Sequence, residues 1–249
     1  MSNGFDGKRF LIIGGGGGIG TQLCRRLHEQ GAELVIASRD MEHLRPVADE
    51  TGARAETLDA REPAAVEELV SELASNGVLH GAVNLAGSVL IKPAHTMKEN
   101  EFEETLGLNL ITAFNVVRAC AKAMIKQDDG GSVVLMSSAV ARHGFPAHEA
   151  IAAAKAGVEG LMRSAAAGYA NKSVRVNCVA PGLVRTPLSA PVFNSDPMLK
   201  ASLAMHADGK PCEPEQAASA IAFLLHPDQA HVTGQTLGVD GGLGSLHAK

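Results

Sequence analysis

Residues 10–20 read F-L-I-I-G-G-G-G-G-I-G, and this stretch decides the fold. A short apolar run from Phe10 to Ile13 ends abruptly in five glycines, Gly14 to Gly18. Immediately after them Ile19, Leu23 and Leu27 recur every four residues, the spacing of a buried helical stripe. Strand, glycine turn and helix in that order form a phosphate cradle. Glycines let the backbone approach a pyrophosphate closely, and the helix N-terminus presents its unpaired N–H groups to the anion. Gly14, Gly18, Ile19 and Gly20 are therefore expected to bind a dinucleotide.

The pattern of this first unit continues along the chain. Apolar runs at 34–37, 82–85, 133–136, 174–177 and 236–239, with a weaker strand pattern A-E-T-L-D at 55–59, alternate with helical patterns at 19–30, 41–51, 62–76, 99–126, 149–170 and 213–226. Continuous apolar runs mark strands covered on both faces, and alternation with helices implies right-handed crossovers. The expected fold class is α/β: a Rossmann-type, doubly wound parallel sheet of about seven strands with helices on both faces. No repeat or low-complexity linker divides the chain, so residues 1–249 are expected to form one dinucleotide-binding domain. The stretch 186–212 carries Pro187, Pro191, Pro197 and Pro211 and is expected to be irregular, a substrate lid.

Composition narrows the function. A net charge of −5 excludes the basic stripe of a nucleic-acid binder. The start M-S-N-G-F-D-G lacks a secretion signal, and no apolar run is long enough to span a membrane, so a cytoplasmic protein is expected. Cys24, Cys120, Cys178 and Cys212 are widely spaced and read as reduced thiols. The ten histidines show no metal-binding spacing, and no metal is expected.

At the end of the second strand the residue that reads the adenosine ribose should appear. An acid there would select NAD, but the sequence has Ser38-Arg39. The guanidinium fork of Arg39 suits a ribose 2′-phosphate, and Ser38 does not repel it, so NADP(H) is expected to be preferred, with NAD(H) possible.

Over nearly its whole length the chain resembles the short-chain dehydrogenase/reductase family. The glycine stretch is similar to that family's T-G-x-x-x-G-x-G, with Ile13 in the threonine place, and N-L-A-G at 84–87 is similar to N-N-A-G. The resemblance implies that Asn84, Ala86 and Gly87 support the cofactor, that Asp59 lies against the adenine, and that Asn109 holds a proton-relay water. It makes Ser138, at the end of V-V-L-M-S-S, the substrate-orienting serine. It also places Pro181, Gly182, Val184 and Thr186, within V-N-C-V-A-P-G-L-V-R-T-P, around the nicotinamide. T-G-Q-T-L-G-V-D-G-G at 233–242 resembles the last strand and turn.

In this family a tyrosine follows the serine by thirteen residues, and a lysine follows the tyrosine by four. Positions i and i+4 share a helix face, so both point into one pocket. The lysine binds the nicotinamide ribose and lowers the tyrosine pKa, and the tyrosine exchanges a proton with the substrate. Ser138 and Lys155 keep that register, but the residue between them is Ile151. The single tyrosine, Tyr169, lies eighteen residues further, roughly 27 Å along a helix at 1.5 Å per residue, and cannot substitute. Lys155, a water near Asn109, or His148 remain as proton donors, with His143 more remote. Ile151 adds an apolar wall; with Met198, Leu199, Leu203 and Met205 it suggests an apolar ligand, unless these residues simply pack a lid on the core.

The expected function is an atypical NADP(H)-dependent oxidoreductase of a small carbonyl or alcohol substrate, with Asn109, Ser138 and Lys155 in the catalytic site. Rival readings are a catalytically silent nucleotide-binding subunit and a non-redox lyase or isomerase. The resemblance further implies a homodimer or homotetramer built on helices 99–126 and 149–170, or a hetero-oligomer with an active homologue.

Overall fold

The structure, a computed structural model, describes residues 4–246. Its strands are β1 (Arg9–Ile13), β2 (Glu33–Ser38), β3 (Arg54–Thr57), β4 (Gly81–Asn84), β5 (Gly131–Met136), β6 (Val174–Pro181) and β7 (Thr236–Val239). They form one seven-stranded sheet in the order β3-β2-β1-β4-β5-β6-β7, every pairing parallel. The helices are α1 (Gly18–His28), α2 (Met41–Thr51), α3 (Pro63–Ser75), α4 (Glu99–Leu106), α5 (Thr112–Met124), α6 (Glu149–Tyr169), α7 (Ala190–Phe193), α8 (Asp196–Met205) and α9 (Pro214–Leu225). This is the doubly wound sheet expected from the alternating pattern.

Side-chain alternation along the strands divides the core in two. Phe10, Ile12, Leu34 and Ile36 point to one face, where Leu23, Leu27, Leu44 and Ile221 of α1, α2 and α9 cover them. Leu11, Ile13, Val35 and Ala37 point to the other, against Val66, Val70, Val116, Cys120 and Met162 of α3, α5 and α6. With both faces dry, the five inner strands gain their stability from apolar burial on two sides, roughly 25 cal/mol per Å², while the edge strands β3 and β7 stay partly exposed.

The chain winds from β1 outward to β3, then crosses back to β4 on the other side of β1. The two loops leaving β1 and β4 therefore diverge, and such a switch point at the C-terminal edge of a parallel sheet is where ligands bind. Register aligns Ile13 with Asn84, Asn84 with Leu135, and Leu135 with Cys178. Gly14, Leu85, Ser137 and Gly182 thus emerge along one edge.

Two expectations need correction. The stretch 186–212 is not irregular: it contains a 3₁₀ turn (Pro187–Ser189), α7 and α8. Its prolines start helices rather than break them, with Pro187, Pro191 and Pro197 in first turns, where the missing N–H costs nothing. The pattern at 99–126 is not one helix either, because a π-helical turn, Gly107–Ile111, separates α4 from α5.

Candidate active site

The glycine loop is shaped by contacts as well as by torsions. Gly14 has φ +84°, a conformation that side-chain-bearing residues rarely adopt, and a methyl group there would stand 3.0 Å from the Leu85 carbonyl carbon across the switch point. A methyl on Gly18 would stand 2.8 Å from Cγ2 of Thr186, so the segment after β6 closes over the start of α1. Gly17 caps α1 without a side-chain hydrogen bond, and the first turn carries no acid, while Arg25, Arg26 and His28 occupy the last turn. The open N–H groups and the unopposed helix dipole together favour an anion at this end. Ile19 packs between the core face of Phe10, Ile12 and Leu23 and the small apolar cluster of Val184, Cys212 and Ala217.

Where β2 ends, the Ser38 hydroxyl donates to the Asp40 carbonyl oxygen at 2.7 Å. Asp40 caps α2, its carboxylate accepting the Glu42 N–H at 2.8 Å, so the acid next to Arg39 is already engaged. Arg39 is exposed and makes no ion pair among the described residues. Asp59 lies beyond β3 in a two-pronged pair with Arg61, the shortest contact being 2.6 Å. That pairing, helped by nearby Arg39, holds the carboxyl below its usual range.

The turn after β4 is held from inside. Asn84, buried, donates from Nδ2 to the Thr112 hydroxyl at 3.1 Å and accepts the Ala86 N–H on Oδ1 at 3.2 Å. Asn109 sits in the π-helical turn, buried, where the widened backbone re-aims its side chain. Its Nδ2 donates to the Thr105 carbonyl at 2.9 Å and the Ser88 hydroxyl at 3.2 Å, and its Oδ1 accepts the Ser88 N–H at 3.3 Å. A methyl on Gly87 would stand 2.7 Å from Asn109 Oδ1 and 3.6 Å from Lys155 Nζ. Gly87, Asn109 and Lys155 therefore meet at one point.

On α6, Ile151, Lys155 and Glu159 recur at four-residue spacing and are all buried; Ile151 is 3% exposed. Lys155 donates to the Met136 carbonyl oxygen at 2.9 Å. Burial lowers its pKa from the ordinary lysine value to about 8. Ser138 follows β5 by two residues in an extended conformation, and its Oγ accepts the Val140 N–H at 3.4 Å. His148 is the residue preceding α6; its Nδ1 donates to the Pro146 carbonyl at 2.8 Å. Tyr169 closes the far end of α6 and packs on the core beside Ile125.

Sequence reasoning did not single out Glu159 or His206. Glu159, 4% exposed, accepts the Ser137 hydroxyl and the Arg142 Nε–H, both at 2.9 Å, so it ties the turn around Ser138 to α6. A lone acid one turn beyond Lys155 on an apolar face was its only signal. His206 lay in the proline-bearing stretch and carried none. None of the residues of α8 is buried: Met198 and Met205 are exposed, and Leu199 and Leu203 partly so.

All four cysteines are free and buried. Among the described residues no three His, Cys, Asp or Glu side chains come together to hold a metal, and no helix is long and apolar enough to cross a membrane.

A glycine turn at the switch point of a doubly wound parallel sheet, with Gly87, Asn109 and Lys155 meeting at one point, defines a Rossmann-type class of α/β protein. The comparisons with known proteins specify it further. Residues 14–244 match the family described as enoyl-(acyl carrier protein) reductase. The 3-oxoacyl-acyl-carrier-protein reductase FabG of Vibrio cholerae is 31% identical over 241 residues, covering 96% of this chain and 98% of that protein. A short-chain type dehydrogenase/reductase from Mycobacterium ulcerans superposes with a TM-score of 0.92 at 30% identity, covering 98% of this chain and 92% of that one. A variant of the actinorhodin polyketide ketoreductase with NADPH gives 0.90 at 27% identity, over 96% and 98%. The chain belongs to the short-chain dehydrogenase/reductase family.

Proposed function

We propose that this protein is an atypical NADP(H)-dependent oxidoreductase acting on a small carbonyl or alcohol substrate. The observation that carries the reading is the meeting of Gly87, Asn109 and the Lys155 ammonium beside an uncapped helix N-terminus. The ketoreductase with NADPH and the 3-oxoacyl reductase among the similar proteins support both the cofactor and a carbonyl substrate.

The site residues fit a dinucleotide. Gly14, Gly18, Ile19 and Gly20 would hold its pyrophosphate, Ser38 and Arg39 its ribose 2′-phosphate, and Asp59 its adenine. Asn84, Ala86 and Gly87 line its middle, and Pro181, Gly182, Val184 and Thr186 its nicotinamide side. When bound, the nicotinamide supplies or accepts the hydride. Lys155 holds the adjoining ribose, and Ser138 donates a hydrogen bond to the substrate oxygen, stabilising the charge that develops there. Ile151 offers no proton, so the proton moves through Lys155, a water held by Asn109, or His148. Residues 1–249 act as one unit, with 186–212 as the substrate lid; the exposed Met198 and Met205 favour a partly apolar substrate.

Exposed Phe102, Ile111 and Phe114 on α4, the π-helical turn and α5 support self-association as a dimer or tetramer in the cytoplasm. The buried Ile151 favours a second reading, a silent nucleotide-binding subunit paired with an active homologue. Calorimetric titration with NADPH, followed by NADPH oxidation with ketones and 3-oxoacyl thioesters, separates the cases. Binding with turnover by the lone chain supports the first reading; binding without turnover leaves the second; absence of binding overturns both.

A further inference from the structure

His206 lies at the end of α8, 4% exposed, between the lid and the strand that precedes it. Its Nε2 stands 3.1 Å from the Leu183 backbone nitrogen, and its Nδ1 2.9 Å from the Ser202 carbonyl oxygen. An amide N–H can only donate, so Nε2 is the bare acceptor. A carbonyl can only accept, so Nδ1 carries the proton. Both partners are satisfied by one neutral tautomer, with donor and acceptor on opposite sides of one rigid ring.

The fit around the ring is close. A methyl on Gly182 would stand 2.6 Å from Nε2 of His206 and 3.1 Å from the Asp240 Cα, so position 182 accommodates the imidazole only as glycine. Two backbone bonds close the base of the same excursion: Cys212 N–H to the Leu183 oxygen at 2.8 Å, and Arg185 N–H to the Cys212 oxygen at 3.0 Å. The Leu183 amide would otherwise be an unpaired, half-buried donor beside Gly182, which is unfavourable away from water.

We infer that His206 is a positioning residue that couples helix α8 to the loop Pro181–Val184, so that the lid and the nicotinamide-side backbone keep one fixed relation. The inference rests on the reading of 181–184 as the nicotinamide side, but the coupling itself exists without any ligand. Through the imidazole, the helix that faces the substrate sets the position of the backbone that faces the cofactor. A displacement of α8 is transmitted to Leu183, two residues from β6.

Backbone amide exchange measured by NMR on the ligand-free protein tests this directly. His206→Phe keeps the ring but removes both polar atoms, while His206→Gln keeps an acceptor that reaches the Leu183 N–H. Protection of the Leu183 amide should fall about ten-fold or more in His206→Phe, the loss expected for one hydrogen bond. It should be largely restored in His206→Gln, with Val134 in the central sheet unchanged in both. Gly182→Ala, which displaces the ring, should resemble His206→Phe. Wild-type protection at Leu183 in His206→Phe, or equal losses in the Phe and Gln variants, would overturn the coupling. If His206→Phe also loses protection at Val134, Gln against Asn decides: Asn reaches Ser202 but not Leu183, and must lose protection where Gln keeps it. Failure of NADPH to bind with these results intact would remove the cofactor reading and leave the coupling standing.

Discussion

Lys155 Nζ lies 2.9 Å from the carbonyl oxygen of Met136, its one hydrogen-bond partner among the described residues. A buried ammonium with a single acceptor has two further N–H groups to offer, and they lie beside Gly87 and Asn109. The charge is costly where it sits, which is why burial lowers its pKa to about 8.

The pH dependence follows with a definite sign. Lys155 is charged below about pH 8 and neutral above it. If the proton moves through Lys155, carbonyl reduction should lose kcat/KM as pH rises through that value, while alcohol oxidation should gain. Lys155→Arg, whose charge persists, should flatten the limb. A wild-type profile that is flat from about pH 7 to about pH 10 would remove Lys155 from the proton path.

Arg39 sets the cofactor preference if its fork meets a 2′-phosphate. Arg39→Ala should weaken NADPH binding by about 10- to 100-fold, the value of one or two charge-assisted hydrogen bonds. NADH binding should change by less than about two-fold, since surface substitutions away from such contacts have small effects. Calorimetry with both cofactors gives the answer; equal losses would mean that Arg39 does not read the phosphate.

Restoring a phenol at position 151 probes the alignment of everything around it. Ile151→Tyr should raise carbonyl reduction by about 100- to 10,000-fold, the usual contribution of a positioned general acid. The larger side chain should also cost about 1–3 kcal/mol of stability through overpacking at a site only 3% exposed. Steady-state kinetics and thermal melts report the two effects separately. A stable variant with no gain in rate would show a pocket reshaped for other chemistry.

Glu159 anchors the Ser138 turn through Ser137 and Arg142. Glu159→Ala leaves the Ser137 hydroxyl unpaired in a buried place and should lower stability by about 2–3 kcal/mol. Glu159→Gln keeps an acceptor and should cost nearer ~1 kcal/mol. Urea unfolding distinguishes them, and identical midpoints would show that the carboxylate carries no structural weight.

Much of this architecture was legible because parallel strands covered on both faces are written as uninterrupted apolar runs. Six of the seven strands lie where such runs were read, although β6 continues to Pro181, four residues beyond its run, and β3, half-exposed at the sheet edge, lies at the weaker stretch 55–59. The i, i+4 spacing placed Ile151 and Lys155 on one face of α6, and the structure buries both. Legibility ended where local signals carry two meanings. Proline breaks a helix interior but suits a first turn, and only tertiary context shows that Pro191 and Pro197 are starters. The π-helical turn at 107–111 leaves the apolar period nearly intact, so nothing in the pattern announced it. The His206 partners are both main-chain atoms, four and twenty-three residues away, and main-chain partners leave no trace in side-chain spacing.

The paired backbone of Leu183 and Cys212 has an evolutionary consequence. A segment whose two ends are stitched to each other leaves and rejoins the scaffold at one place, like a drawer in a cabinet. Apart from Thr186, which packs on Gly18, and His206, which holds Leu183, residues between those stitches can lengthen, shorten or change character while the sheet goes on unaffected. If 186–212 is the substrate lid proposed above, chemical taste is housed in an exchangeable cassette, and transplanting 185–211 from a relative should carry that relative's substrate range with it.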